Sequence, residues 1–217
     1  MKLCREITGR DRWIVLTNAA AKILRGLFCR IGMREVHGLL FAGANVRITH
    51  KHHIRCGKNV KFEENAEIQG LCRGGLKFGD GATIGRNTMI RPSSYYGVDL
   101  GSGLEIGKNS SIGAYSYVGC SGKIVIGDHV MIGPRCSLFA ENHVFADTGR
   151  TIQSQGVRQK GIAIQDDCWI GSGCIILDGV TIGKGCVIGA GTLISRDVPA
   201  NSVVTDRRDT RIKKRTE

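Results

Sequence analysis

An aliphatic residue recurs at every sixth position near the end of this chain. A small or β-branched residue lies four positions after most of these, and glycine often follows them directly. Helices repeat every 3.6 residues and strands every two, so neither accounts for a period of six. Hexapeptide repeats of this kind predict a β-helix solenoid. The aliphatic positions are Ile164, Ile170, Ile176, Ile182, Ile188 and Ile194.

The six-residue period extends over most of the chain but is interrupted. The extent of the repeat, together with the residues on either side of it, predicts three regions. These are an amphipathic helical cap at 1–45, a β-helix at 46–204 and a basic tail at 205–217. Loop insertions are expected at 69–75, 91–105 and 139–163. Insertions in repeat proteins form loops that often lie on the functional face. The longest insertion, 139–163, is therefore where we expect the chemistry.

Positive charge is concentrated at the two ends of the chain, whose net charge is +12. Residues 1–61 hold 13 Lys or Arg against 3 acidic residues, whereas residues 62–205 hold 12 against 13. Basic ends suit an anionic partner or simply increase solubility. No nucleic-acid-binding module is recognisable and the few aromatic residues are not interleaved with the basic ones, so we expect no nucleic-acid partner.

Residues 11–33 have the three- and four-residue spacing of an amphipathic helix. Lys22, Arg25 and Arg30 interrupt it, so it is not expected to span a membrane. Two interpretations remain open. The helix either packs its apolar face on the first open edge of the solenoid, which we favour, or lies on a membrane surface. The apolar face consists of Trp13, Leu16, Ala20, Ile23, Leu24, Leu27, Phe28 and Ile31.

Five of the nine cysteines fall on repeat positions, which favours buried thiols over disulfides or metal ligands. Cys136, Cys168, Cys174 and Cys186 take the small position and Cys56 takes an aliphatic one. There is no Cys-x-x-Cys pair, and charges occupy the place of a signal-peptide apolar region. We expect a reduced cytoplasmic protein that needs no metal, and a peripheral location at the inner membrane face if the N-terminal helix lies on a membrane.

Two stretches carry a resemblance to a known family: IGDHVMIGPRCSLFAENHVF and KGIAIQDDCWIGSGCIILDGVTIGKGCVIGAGTLISRDVPANSVV. They resemble the hexapeptide-repeat acyltransferases, and most of all the bacterial sugar and polysaccharide O-acetyltransferases of the maltose, galactoside, nodulation-factor and colanic-acid type. The resemblance covers roughly residues 46–204. It implies a left-handed parallel β-helix, a homotrimer with active sites between subunits, acetyl-CoA as acyl donor and a carbohydrate as acceptor.

The resemblance also implies the catalytic residues. The family's general base is a histidine in the loop before the Trp-Ile-Gly hexad, and His143 holds that position. Histidine suits the role because the pKa of its side chain ordinarily lies near neutral pH. Asn142 and Glu141 flank it and would orient the imidazole ring or hold the acceptor, although solvation of a surface loop explains both equally well.

Binding of acetyl-CoA is implied for residues late in the repeat: Trp169, Ser172, Ala190, Ser195 and Arg196. The chain departs from the family after the last hexad, where a glycine–proline turn is replaced by TDRRDTRIKKRTE. Arg207, Arg208, Lys213 and Lys214 would either meet the CoA phosphates or form a basic tail.

The leading hypothesis is an acetyl-CoA-dependent O-acetyltransferase that acts on a sugar hydroxyl in the biosynthesis of a surface polysaccharide. Two alternatives remain open. One is an acetyltransferase for another small acceptor, such as a xenobiotic, serine or an amino-sugar amine. The other is a β-helix scaffold without catalysis. A zinc enzyme is less favoured, because His129 and His143 could supply two imidazole ligands but no third histidine is suitably spaced.

Overall fold

The computed structural model describes residue 4, residues 6–93 and residues 99–206. Tyr95 and Tyr96 of the second insertion lie outside these residues, as do all the lysines and arginines of the C-terminal tail.

Three parallel sheets form a triangular prism wound as a left-handed β-helix, which confirms the predicted fold class. Sheet 1 consists of β1 (Glu35–Val36), β4 (Ile54–Cys56), β7 (Leu76–Phe78), β10 (Leu104–Ile106), β13 (Ile124–Ile126), β18 (Ile162–Ile164) and β21 (Thr181–Ile182). Sheet 2 consists of β2 (Leu40–Ala42), β5 (Val60–Phe62), β8 (Thr83–Ile84), β11 (Ser111–Ile112), β14 (Met131–Ile132), β19 (Trp169–Ile170), β22 (Val187–Ile188) and β24 (Val203–Val204). Sheet 3 consists of β3 (Arg47–Thr49), β6 (Glu67–Gln69), β9 (Met89–Arg91), β12 (Tyr117–Gly119), β15 (Ser137–Phe139), β20 (Ile175–Leu177) and β23 (Leu193–Ile194).

The aliphatic residue of each hexad points into the prism and stacks on its equivalent in the next coil. Ile170, for example, is in register with Ile132 below and Ile188 above, and all three are buried. The preceding residue, Trp169, points outward and is 55% exposed. Each side of the triangular coil therefore takes six residues, which form a short strand with one inward aliphatic residue and the turn that leads to the next side.

The glycine after the aliphatic residue is required by the close stacking of the turns. At Gly113, a Cβ atom would lie 2.4 Å from the carbonyl carbon of Gly133 and from the nitrogen of Pro134 in the next coil. Both contacts are with backbone, which cannot move aside. Glycine at this position lets consecutive coils approach to the strand spacing of about 4.8 Å.

The small position of the hexad is buried, and at several coils it also satisfies a backbone carbonyl of the next coil. The hydroxyl of Thr88 donates to the Gly113 carbonyl at 2.9 Å, and that of Ser110 donates to Gly127 at 2.6 Å. The thiol of Cys168 donates in the same way to Gly183 at 3.1 Å. The prediction that cysteines at repeat positions are buried thiols is confirmed, and burial raises the pKa of Cys56 to about 12.

Replacing Thr88 with valine tests the importance of this hydrogen bond. The substitution keeps the shape of the side chain but leaves the Gly113 carbonyl without its hydroxyl donor and the buried Ser116 amide without its 3.3 Å acceptor. We expect the free energy of unfolding to fall by about 1–2 kcal/mol. Thr181→Val is the matched control, because Thr181 faces outward on β21 and its replacement should change stability little. Urea titration of both variants measures the difference, and equal losses would argue against the role of the small position.

The coil begins earlier than the sequence predicted. β1 and β2 both precede residue 46, in the stretch assigned to the helical cap, yet they pair in register with β4 and β5. Leu40 and Ala42 fill the interior of this first coil. The division into functional domains remains a prediction.

Helix α1 (Gly9–Cys29) precedes the coil. Thr8 caps it, since its side chain accepts a hydrogen bond from the Asp11 amide at 3.2 Å and the Asp11 carboxylate accepts one from the Thr8 amide. The predicted helix ran to residue 33, but a turn follows Cys29, and Gly32 has a φ of +82°, a left-handed conformation that ends helices.

Helix α1 packs against β2 as a cap would, but not through the predicted apolar face. Its contact with the coil is made by the side that carries Gly26, which is the buried residue of the helix. Most of the predicted face is exposed instead, including Trp13, Leu24 and Phe28. The prediction that this face packs on the solenoid is therefore wrong, because a small residue rather than a large one allows the helix to approach the β2 backbone.

Candidate functional site

The predicted insertions all lie at one edge of the prism, between sheet 3 and sheet 1. Residues 69–75 connect β6 to β7, residues 91–105 lie between β9 and β10, and residues 139–163 lie between β15 and β18. The two-residue slip of the repeat near Lys123 also falls at this edge, between β12 and β13. We call it the insertion edge. Loops from consecutive coils are therefore stacked beside one another, where they can form a single site.

Hydrogen bonds join the stacked loops. The Ser93 hydroxyl donates to the Leu71 carbonyl at 2.7 Å and accepts from the Gly101 amide at 2.8 Å. One coil further, the Ser102 amide donates to the Ser121 carbonyl at 2.7 Å. The side-chain amide of Gln159 in the longest insertion donates to the Ser121 hydroxyl. These contacts fix the position of each loop on the next.

His143 lies in a short antiparallel hairpin within the longest insertion. β16 (Asn142–His143) pairs with β17 (Val157–Arg158), and His143 is opposite Val157. A hydrogen bond of 3.0 Å from the Val144 amide to the Gly156 carbonyl continues the pairing. The imidazole is thus carried on hydrogen-bonded backbone and not on an irregular loop, which restricts its position.

A cavity of about 280 Å³ opens beside His143. Its walls come from the 91–105 and 139–163 insertions, from the turn between β12 and β13, and from the outer face of sheet 3. Its lining residues are Arg91, Pro92, Ser93, Asp99, Tyr117, Gly119, Ser121, Glu141, His143 and Val157. Of the three predicted catalytic residues, His143 and Glu141 line this cavity, whereas Asn142 is not among its described lining residues.

The part of the cavity wall formed by sheet 3 is polar and ordered by specific contacts. Arg91 donates to the Glu67 carboxylate at 2.9 Å, and both side chains are largely buried. Burial raises the pKa of Tyr117, and the nearby Glu141 carboxylate raises it further, while Arg91 acts in the opposite direction. The Tyr117 hydroxyl therefore stays protonated at neutral pH and can donate a hydrogen bond to a ligand.

The sequence did not single out five of the polar lining residues, namely Arg91, Ser93, Asp99, Tyr117 and Ser121. Tyr117 and Arg91 occupy outward positions of sheet 3 strands, where the hexad places no constraint on residue type. Arg91 and Tyr117 could have been identified by their position, because both lie at or just before the insertion edge in consecutive coils.

The residues predicted to bind acetyl-CoA lie on two different edges of the prism. Ser172 and Ala190 lie in the turns between sheet 2 and sheet 3, which we call the glycine edge because Gly171 and Gly189 precede them. Trp169 lies on the adjoining outer face of sheet 2. A Cβ atom on Gly171 would lie 2.5 Å from the Ala190 nitrogen, so the backbone here is closely stacked.

Ser195 and Arg196 lie at the insertion edge instead, directly after β23. They line a cavity of about 460 Å³ at the C-terminal end of the coil. Asp197 and Asp206 order the surrounding chain, because their carboxylates accept from the Thr181 amide at 2.7 Å and from the Leu193 amide at 3.2 Å. Within one chain, sheet 3 separates these two residues from Ser172 and Ala190.

The structure separates the two histidines that were considered as zinc ligands. His129 lies at the third edge, between β13 and β14, with a φ of 58°, while His143 lies at the insertion edge. Within residues 6–93 and 99–206, no group of three or more His, Cys, Asp or Glu side chains is arranged to hold a metal ion. None of the described helices has the length and apolar character to cross a bilayer.

Comparison with known proteins supports the fold. Residues 161–196 match the family described as bacterial transferase hexapeptide (six repeats). No curated protein matches the chain. AntD, an N-acyltransferase from Bacillus cereus solved with dTDP and 3-hydroxybutyryl-CoA, is 19% identical over 88% of this chain and 89% of that chain, with a TM-score of 0.53.

A variant of AntD was also solved with dTDP-4-amino-4,6-dideoxyglucose and coenzyme A. It is 18% identical over 88% of this chain and 90% of that chain, with a TM-score of 0.51. At such identities the similarity establishes the fold alone. This chain therefore carries the bacterial transferase hexapeptide repeat at residues 161–196, on a left-handed β-helix similar to that of AntD.

Proposed function

We propose that this chain is an acetyl-CoA-dependent acyltransferase that transfers an acetyl group to a sugar hydroxyl, in the biosynthesis of a surface polysaccharide. The observation that carries the proposal is the position of His143. It lies with Glu141 in a polar cavity at the edge where all the insertions meet. The hexapeptide transferase match begins at residue 161, within the last three residues of the 139–163 insertion.

His143 acts as the general base in this mechanism. A hydroxyl is a weak nucleophile at neutral pH, so its proton must be removed as the new bond forms. An imidazole nitrogen of His143 takes that proton while the acceptor oxygen attacks the thioester carbonyl carbon. The tetrahedral intermediate collapses by breaking the carbon–sulfur bond, and the departing CoA thiolate takes the proton from the imidazolium. Neither a covalent enzyme intermediate nor a metal is needed.

The other cavity residues hold the acceptor. Arg91 and the protonated Tyr117 offer hydrogen-bond donors, and Asp99 and Glu141 offer acceptors. A sugar presents several hydroxyl groups that both donate and accept, so a wall with both kinds of group suits it. A cavity of about 280 Å³ accommodates a single sugar residue better than a long oligosaccharide. Asn142 is assigned to the support of the hairpin.

The acyl donor lies along a groove between two subunits of a homotrimer. On one chain, Ser172 and Ala190 lie at the glycine edge with Trp169 on the adjoining face of sheet 2, whereas Ser195 and Arg196 lie at the insertion edge. If the glycine edge of one subunit faces the insertion edge of its neighbour, all five residues and His143 line the same groove. Trp169 then packs against the pantetheine, and Arg196 meets a CoA phosphate.

Exposed apolar side chains on both faces beside the glycine edge support this arrangement. Met131, Trp169 and Val203 form a row on sheet 2, and Ile175 and Leu193 are exposed on sheet 3. Subunit interfaces have apolar centres of this kind. Sheet 1 differs, because its outer face carries the ion pairs of Glu105 with Lys77 and Lys123, at 2.9 and 2.7 Å.

A second candidate function is acyl transfer to an amine. It is favoured by the similarity to AntD, an N-acyltransferase that was solved with an amino sugar nucleotide. The same cavity and the same base serve either nucleophile, because an ammonium group must also lose a proton before it attacks.

A scaffold without catalysis is the third alternative. We also propose that the protein is located in the cytoplasm.

Release of free CoA thiol tests these alternatives directly. Purified protein is incubated with acetyl-CoA and a panel of sugars, amino sugars, serine and aminated xenobiotics. The proposal predicts turnover that depends on a sugar and a product carrying an O-acetyl ester, identified by its mass and by its loss in mild alkali. An alkali-stable product would favour transfer to an amine. Failure to bind acetyl-CoA, measured by calorimetry, would leave the scaffold as the correct interpretation.

A further inference from the structure

Helix α1 is held on the coil by one side only. Gly26 is in contact with β2, and a Cβ atom there would lie 1.7 Å from the Leu40 carbonyl oxygen. The guanidinium of Arg25 donates to the Ala42 carbonyl at 3.1 Å. On the same side, Lys22 pairs with Glu63 and with Glu64, the latter at 3.0 Å. A backbone contact, a hydrogen bond and ion pairs together fix which side of the helix faces the coil.

The side of α1 that faces away from the coil is apolar. At 100° per residue, Trp13, Leu24 and Phe28 lie within about 60° of one another and about 150° from Gly26. Their exposed fractions are 68%, 59% and 73%. We call this surface the outer face of α1, and it consists of Trp13, Leu16, Ala20, Leu24, Leu27 and Phe28. All six residues are exposed to solvent.

The charge around the outer face indicates what covers it. Arg10, Arg12 and Arg30 are exposed on the same helix or at its end, and residues 1–61 hold 13 basic against 3 acidic residues. A second copy of this chain would bring a surface of the same positive sign, so self-association through this face is opposed by repulsion. An anionic surface has the complementary charge.

We propose that the outer face of α1 binds the surface of an anionic lipid bilayer, with the helix lying parallel to the membrane plane. Apolar residues that include Trp and Phe, with arginines beside them, are the pattern of interfacial helices. The helix has 21 residues, but its polar side is committed to the coil, so it lies on the membrane and does not cross it. This inference is independent of the proposed catalytic activity.

Co-flotation of the full chain with vesicles tests the proposal. Vesicles of phosphatidylcholine containing about 30% phosphatidylglycerol are compared with vesicles of phosphatidylcholine alone. The wild-type protein should float with the anionic vesicles and bind them at least about tenfold more than the neutral ones, and the binding should weaken in high salt. No acyl-CoA is present, so the outcome does not depend on whether the chain is an acyltransferase.

A pair of matched double variants assigns the binding to α1. Leu24→Gln with Phe28→Gln removes two large residues of the outer face, while Phe145→Gln with Ile152→Gln removes an equally exposed pair from the longest insertion. The first variant should lose about tenfold or more of the flotation and the second should keep it. Thermal melting verifies that both remain folded, as expected for exposed positions.

Three results would overturn the proposal. The first is that the wild-type protein fails to float with anionic vesicles, and the second is that both double variants lose flotation equally. The third is that the α1 variant changes the oligomeric state in sedimentation but leaves flotation intact. That result would assign the outer face to a contact between protein chains.

Discussion

Replacing His143 with alanine is expected to lower the rate of acyl transfer by about 10²–10⁴-fold, the usual contribution of a positioned general base. Without the imidazole, the acceptor hydroxyl must lose its proton to water while it attacks the thioester. The fold should persist, because the side chain is exposed on a hairpin and fills no part of the core. CoA thiol release at saturating acetyl-CoA measures the effect.

His129→Asn is the matched control for His143→Ala. His129 is also exposed, but it lies at a different edge of the prism, and its φ of 58° is a conformation that asparagine adopts readily. This variant should retain full activity. Binding of acetyl-CoA should be similar in both variants, since the donor groove is assigned to other residues. A loss of less than about fivefold for His143→Ala would remove His143 from the mechanism.

Replacing Ile170 with alanine is expected to destabilise the coil by about 2–5 kcal/mol. Ile170 is fully buried and stacks between Ile132 and Ile188, so truncation removes apolar contacts and leaves a cavity in the interior. For a chain of this length the midpoint of thermal unfolding should fall by roughly 4–20 °C. Calorimetry or circular dichroism measures the shift.

Trp169→Ala is the paired variant, because Trp169 is the adjacent residue on the same strand and points outward. In an isolated subunit its loss should change the free energy of unfolding by less than about 0.5 kcal/mol. If Trp169 contacts the pantetheine, however, KM for acetyl-CoA should rise. A large stability loss at Trp169 with none at Ile170 would contradict the register of sheet 2.

The hexad could be recognised from the sequence because each of its positions is buried or exposed in the same way in every coil. Every inward position, such as Ile132 or Ile188, meets the same environment one coil later, so selection for packing imposes a visible period. The cysteines at the small position were interpreted correctly for the same reason, since Cys168 and Cys186 are buried within the coil.

The start of the coil could not be located from the sequence. The first strand of sheet 2 needs only two inward residues, Leu40 and Ala42, and these do not make a repeat by themselves. The orientation of α1 was also predicted wrongly. An amphipathic pattern indicates where the apolar face is but not whether the protein or something else covers it, and at Gly26 a close backbone approach decided the packing.

The candidate site was only partly predictable. His143 could be identified because it lies where the period fails and because of the family resemblance. Arg91 and Tyr117 could not, since their contribution depends on the stacking of distant coils at one edge. The division of the donor residues between two edges became visible only when the three sheets were placed around the prism.

A crystal structure of the chain with acetyl-CoA tests the proposed site most directly. The proposal predicts the thioester carbonyl carbon within about 6 Å of the His143 imidazole, which is the length of one hydrogen bond plus one near-attack contact. The pantetheine should run between subunits, past Trp169, Ser172 and Ala190 of the neighbouring subunit. A CoA bound away from the cavity of His143 and Glu141, or held entirely by one subunit, would contradict it.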